Sequence, residues 1–224
     1  MNYSIVCFPN NPIKIVPGLT MISIANHELY WQLSTGLKET SEDVTLGQNG
    51  HIVDVNKTVM FIGDIGAQLD VNKLYQKNIV NTMKNYADDQ ALEVFYKINS
   101  ELNHVLENII LENNLPFYFQ TEFNIVELIN EKKIKIETLT NSSGFGKIED
   151  VVSVAGEFSE QRLIVFTNLY LLLSVDQIDY LNNLAKTMNL CLISLNLTQN
   201  PVMTKQGLPP EIFIDEDFVQ FGAD

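Results

Sequence analysis

Between Asn72 and Glu112 the chain runs for about forty residues without a proline or a glycine. Nothing in that stretch breaks a helix, and it is longer than an ordinary globular helix. Its clearest part carries Phe95, Ile98, Leu102, Val105 and Ile109 at alternating steps of three and four. That spacing draws an apolar stripe along one side of a helix and leaves the charges on the other faces. The polar cluster Asp88-Asp89-Gln90 reads as a joint between two helices, and Pro116 closes the segment. A further short helix is expected from Asn124 to Glu131.

On both sides of this helical stretch the pattern is different. Short apolar runs at Ser4–Phe8, Ile13–Val16, Leu19–Ala25 and Thr58–Ile62 read as strands, separated by Pro9, Pro12, Pro17 and Gly18. His27 to Leu37 reads as one helix, followed by a polar, acidic loop from Lys38 to Asn49. After the insertion, Lys147 to Phe158 is amphipathic, Arg162–Thr167 and Leu190–Leu195 are strand-like, and Val175–Met188 between them is helical. Ser174, followed three residues later by Gln177, is a capping box for that helix. Strand, helix, strand in this order implies a parallel crossover. The fold class expected is therefore α/β: a head of residues 1–70 and 138–224 carrying a helical leg of residues 71–137.

Composition narrows the function classes. A chain of 224 residues with 46% apolar content buries a sizeable core. Its two cysteines, Cys7 and Cys191, are too few for a disulfide framework and lack metal-ligand spacing, so both are expected in the core of a cytoplasmic protein. No apolar run reaches the roughly 18 residues of a membrane span, and no membrane partner is expected. The charge is −14, from 14 basic and 28 acidic residues, which argues against a surface that coats nucleic acid everywhere. The imbalance is local: residues 57–97 hold five lysines and five acids, whereas residues 149–224 hold three basic groups and eleven acids. A phosphate-contacting surface would have to be a patch.

Catalytic motifs are scarce. The stretch from Asn141 to Ile148 looks like a phosphate-binding loop, yet Asn141 stands where its first glycine belongs and Ile148 replaces the metal-binding hydroxyl. A loop leading into a helix start is the expectation there. Only His27, His51 and His104 are present, too few for a triad or zinc site with no accompanying motif. The densest basic spot is Lys132-Lys133-Ile134-Lys135, alternating with Ile136 as on an edge strand. Edge lysines often only block aggregation, but repeated by symmetry they would line a positive surface for double-stranded DNA. Glu112, Glu122 and Glu127 fall where the long helix turns back into the next one. Converging carboxylates there would suit calcium, and solvated acids are the plain alternative.

Several segments together carry a resemblance: Asn11-Pro12-Ile13-Lys14-Ile15, Gly63-Asp64-Ile65 before Leu69-Asp70-Val71-Asn72, and Ile125-Val126-Glu127-Leu128-Ile129. The same holds for Arg162 to Asn168, Leu190 to Leu195, and Phe213-Ile214-Asp215-Glu216-Asp217-Phe218. In this order and spacing the chain resembles the Csn-two family, the accessory protein of type II-A CRISPR adaptation. The resemblance implies a head like a degenerate P-loop ATPase domain, a helical leg, and a homotetrameric ring around double-stranded DNA. It further implies calcium in the leg, and cooperation with the CRISPR integrase complex and effector nuclease during spacer acquisition. Glu122 and Glu127 match acidic positions of the family's leg segment, whereas Phe119 and Thr121 stand where other members place carboxylates.

The functional expectation is a non-enzymatic, sequence-nonspecific ring on DNA ends, with Lys132, Lys133 and Lys135 as its DNA contacts. Two alternatives belong to other classes. One is a nucleotide-dependent enzyme using Lys147, and the other a scaffold that recruits the integrase and effector without touching DNA.

Overall fold

The computed structural model describes residues 2–65, 69–137, 143–202 and 209–222. Its first passage forms β1 (Tyr3–Cys7), β2 (Ile13–Ile15), β3 (Gly18–Ile24), α1 (His27–Lys38), β4 (Val44–Gln48), β5 (His51–Ile52), α2 (Val55–Thr58) and β6 (Val59–Gly63). Three helices follow: α3 (Val71–Tyr86), α4 (Asp89–Glu112) and α5 (Ile125–Glu131). The last passage forms α6 (Gly144–Glu157), β7 (Leu163–Thr167), a 3-10 turn at Leu169–Leu171, α7 (Val175–Thr187), β8 (Cys191–Leu197), β9 (Glu211–Ile214) and β10 (Gln220–Phe221). Contacts divide the chain into one unit of Met1–Leu69 with Leu139–Asp224, and a second of Asp70–Thr138.

The first unit is built on a six-stranded sheet in the order β10-β9-β3-β8-β7-β6. All its neighbours are parallel except β10 against β9. β3, GLTMISI, is buried at every position, and β7 and β8 are buried almost throughout, as expected of parallel strands covered on both faces. One face presents Ile22, Ile24, Val165, Ile193, Leu195 and Ile212 to a shared core with α1 and a second, antiparallel sheet ordered β2-β1-β4-β5. Helix α1 reaches that core through Leu29, Leu33 and Leu37, spaced four apart on one stripe. Gly36 lets it lie against β4, because a Cβ there would run into Val44. Helix α7 packs on β3 and touches α6.

The chain pattern accounts for most of this, with two exceptions. The polar segment after α1 forms strand β4 rather than a loop: Val44 and Leu46 turn inward against β1 while Thr45, Gly47 and Gln48 stay half-exposed. The C-terminal acidic segment follows a true strand, β9, which pairs in parallel with β3. The crossover of Arg162–Thr167 and Leu190–Leu195 forms as the parallel pair β7 and β8, and the capping box on Ser174 and Gln177 is present. Cys7 and Cys191 are both buried and unbridged; burial pushes the Cys191 thiol up to about 11.

Polar ties fasten these layers. Gly18 sits at φ 122°, which lets the carbonyl of the buried Asn182 side chain accept from Leu19 N at 3.0 Å. A Cβ on Gly18 would press to 2.8 Å from that same oxygen. Tyr3 Oη donates to the Gln161 carbonyl at the entry to β7 and accepts from Gln48 Nε2 at 3.1 Å. Burial raises this phenol to about 12. Next to it, Glu160 clasps Arg162 in a fork of 2.6 and 3.0 Å and also accepts from the backbone N–H groups of Gln161 and Arg162. Burial pushes the Glu160 carboxyl up, but the Arg162 bonds and charge, with Gln161 N, outweigh it and hold the group below its ordinary value.

The second unit pairs α3 with α5 through the buried Tyr75, Ile79, Val80 and Ile129. The expected joint is a helix break at Ala87, after which the Asp88 carboxylate accepts from Ala91 N and caps α4. Helix α4 spans 24 residues and buries none of them. Its Phe95, Asn99, Asn103 side is half-covered, with Asn99 and Asn103 donating to the Thr121 carbonyl at 3.5 and 3.0 Å. Ile98, Leu102, Val105 and Ile109, four of the five residues of the expected stripe, stay exposed.

Replacing Glu160 with Gln removes a carboxylate whose bonds to a cation are worth about 1.5–3 kcal/mol. Because the folded carboxyl lies below its ordinary value, its contribution is present at neutral pH and is lost as pH falls through that lowered value. Thermal melts at pH 7 should place the Glu160→Gln chain several degrees below the parent, and the gap should close below about pH 4.

Candidate nucleic-acid interface

Helix α5 ends at Lys132, and the chain then turns through Lys133 in the left-handed region at φ 50°, a geometry that costs a bulky residue about 1–2 kcal/mol. The turn sends residues 134–136 back along α3. The Asn72 side-chain carbonyl accepts from Ile136 N at 2.6 Å, which takes the place of a strand partner, and residues 134–137 form no strand. The alternation expected there survives without a sheet: Ile134 and Ile136 are half-buried, and Lys133 and Lys135 are exposed.

This return brings Lys133 and Lys135 opposite Lys73 on α3, around a hollow of about 400 Å³ completed by Asp70, Asn72, Gln76 and Asn130. An adjoining hollow of about 450 Å³ shares Lys73, Gln76 and Asn130 and adds Lys77 one turn further along α3. Of the three lysines named from sequence, Lys133 and Lys135 line the first hollow, and Lys132 lines neither. Lys73 and Lys77 were not singled out. Their spacing of four puts them on one helical face, but only the tertiary return of the 132–136 segment joins them to the other lysines. Among the described residues the ion pairs are Lys57–Asp54, Lys97–Glu93 and Arg162–Glu160, and none of them takes up Lys73, Lys77, Lys132, Lys133 or Lys135.

The acidic trio behaves otherwise. Glu112 closes α4, Glu122 lies exposed in the connection, and Glu127 Oε1 accepts from Asn124 Nδ2 at 2.8 Å within the first turn of α5. Among the described residues no group of three or more His, Cys, Asp or Glu side chains comes together to hold a metal ion. The donor set that calcium requires, six to eight oxygens, is not assembled by these three residues. The Thr121 carbonyl, a backbone oxygen of the same connection, is already taken by two asparagine amides.

In the head, Ser143 Oγ accepts from Gly146 N and starts α6, and residues 141 and 142 of the phosphate-loop-like stretch lie outside the described residues. The strand-to-helix step of the parallel sheet is Ile24-Ala25-Asn26-His27, which holds no glycine. Parallel sheets take ligands beyond the carboxyl ends of their strands. Here Ala25 N donates to Ile214 O, Asn26 Nδ2 to Glu216 O, and Gln199 Nε2 to Glu216 Oε1 at 2.9 Å. The protein's own acidic hairpin holds that ground. Asp215 Oδ1 accepts from Asp217 N and Val219 N and shapes the hairpin turn. His104 is an exposed helix residue bonded to Asn108 at 3.2 Å. No helix among the described residues is long and apolar enough to cross a membrane.

The sequence model of the CRISPR-associated protein family Cas_Csn2 matches residues 39–218. Among solved structures, Stu0660 of Streptococcus thermophilus is similar with a TM-score of 0.60, at 14% identity, over 96% of this chain and 75% of its own. At that identity the likeness speaks for the fold alone. No curated protein matches the chain. The family match runs from the end of α1 through the whole leg to the acidic hairpin, and on that ground the chain belongs to the Csn2 family of CRISPR-associated proteins.

Proposed function

We propose that the protein is a non-enzymatic holder of double-stranded DNA ends, assembled as a homotetrameric ring and acting in type II-A spacer acquisition with the CRISPR integrase complex and effector nuclease in the cytoplasm. The observation that carries this reading is the gathering of Lys73, Lys77, Lys133 and Lys135 on one face of the leg in a chain of net charge −14. The acidic remainder repels DNA from every other face, so phosphates are drawn to one track. Flexible lysines and amides on a phosphate track read no base edges, and binding is indifferent to sequence. The exposed stripe of α4 supports assembly: an apolar ridge of about three turns is covered when a second copy lies against it.

The head supports the non-enzymatic part. Its parallel strands, counted in chain order, lie as 5-1-4-3-2, a frame on which a P-loop would follow the first strand. In this chain a glycine-free step and the Glu216 carboxylate occupy that place, and a polyphosphate would meet like charge. The scaffold reading draws on the same α4 stripe, with another protein in place of the second copy.

Mobility shifts with linear and closed circular duplex of equal length separate these readings. The ring requires binding to the linear form alone; equal binding to both means an open patch, and no binding to either leaves the scaffold. Between 50 and 200 mM salt the affinity should fall steeply, and Lys77→Gln should weaken binding equally for all sequences while lowering the slope by about one counterion per copy.

We further propose that the leg is held without calcium, the Asn99 and Asn103 amides supplying the tie at the Thr121 carbonyl. Melting of the parent should not move between calcium and chelator. Asn99→Ala with Asn103→Ala should lower the melting temperature in both; a calcium-dependent rise in the parent would sink this part.

A further inference from the structure

The hollow beside Lys133 is unusual in what it offers. Lysine carries donors only, and an asparagine side chain offers one acceptor oxygen beside two donor hydrogens. Both asparagines here have spent their oxygens: Asn72 Oδ1 accepts from Ile136 N at 2.6 Å and Asn130 Oδ1 from Gln76 Nε2 at 3.4 Å. Their NH₂ groups are left over, beside Lys73, Lys133 and Lys135. None of these five side chains donates to another group among the described residues. The one acid in the wall, Asp70, is engaged at Oδ1 with Lys73 N at 3.2 Å as the cap of α3. Three lysines against one carboxylate leave the hollow at +2.

A concave site whose free side-chain groups are mostly donors, with a charge of +2, matches a dianion. An internal phosphodiester is a monoanion with two free oxygens, and its chain continues on both sides. A terminal phosphomonoester has three free oxygens, carries close to two charges above its second pKa of about 6, and continues on one side only. The adjoining hollow provides that one exit: it leads past Leu74 and Val126 toward Lys77. We infer that the leg hollow is a receptor for a phosphomonoester, recognising the terminal phosphate of a DNA strand or a free nucleotide. Only the first of these sources rests on the DNA-binding reading; the phosphate chemistry stands on the donor inventory. Binding by the full chain strengthens from pH 5.5 to 7.5 as the phosphate takes its second charge.

The test compares fluorescence anisotropy of one linear duplex carrying 5′-phosphates or 5′-hydroxyls, together with calorimetric titration of thymidine 5′-monophosphate against thymidine. The phosphorylated duplex should bind at least about fivefold tighter, and the monophosphate should bind where thymidine does not. Asn130→Asp keeps the shape and the accepting oxygen while adding a negative charge. It should abolish both differences, as should Lys135→Gln, with melting curves checked for each variant. Equal affinity for the two duplexes with no monophosphate binding overturns the receptor while leaving DNA binding intact. Monophosphate binding that Asn130→Asp removes, in a protein that ignores all duplex, upholds the receptor, makes the free nucleotide its source, and sinks the DNA reading. Silence in both assays sinks both.

Discussion

The parallel pairing of β6 with β7 is the constraint on which the rest of the structure depends. Val59 to Gly63 close the first passage of the head, and Leu163 to Thr167 belong to the second, yet the two lie side by side in one sheet. The leg, residues 70–138, stands between them in sequence. A sheet closed in this way tolerates an insertion because its two flanking strands are fixed by burial, not by the connection between them. Phe166, Ile164 and Val165 are fully buried in β7, so slipping that strand by one residue would exchange its two apolar faces against different layers. The leg can vary in length and charge without altering the frame that carries it.

Both units are acidic, the leg with seven lysines and eleven acids and the head with seven basic residues and seventeen acids. The head carries the acidic hairpin, and among the described residues its half-buried ion pair is neutralised between neighbours two apart in sequence. Lys73, Lys133 and Lys135 of the leg belong to no ion pair among the described residues and stand beside the Asn72 and Asn130 amides. Neutral amides position a cation without cancelling it, which a carboxylate would do. That is the physical sense of a leg rich in asparagine: Asn72, Asn99, Asn103 and Asn130 all bond backbone or side-chain groups within it.

Much of this architecture is legible in the sequence because periodicity reports burial. The run from Asn72 to Glu112 announces the leg, and the continuous apolar strands β3, β7 and β8 announce a covered sheet. Strands β4 and β9 escape notice because each is short and flanked by acids, and becomes a strand only through its neighbour. The lysine groove is half-legible: Lys133 and Lys135 stand in a visible cluster, while Lys73 and Lys77 join them through a left-handed turn that no local pattern marks.

The place of β3 has a consequence for the order in which the molecule is made. This strand is completed by residue 24, but its two partners are β8, ending at Leu197, and β9, ending at Ile214. A ribosome must therefore deliver almost the entire chain before the central strand finds either neighbour, while α3, α4 and α5 need only one another and emerge long before. During synthesis the appendage acquires its shape first, and the body that bears it assembles afterwards, around a strand destined for full burial that waits unpaired.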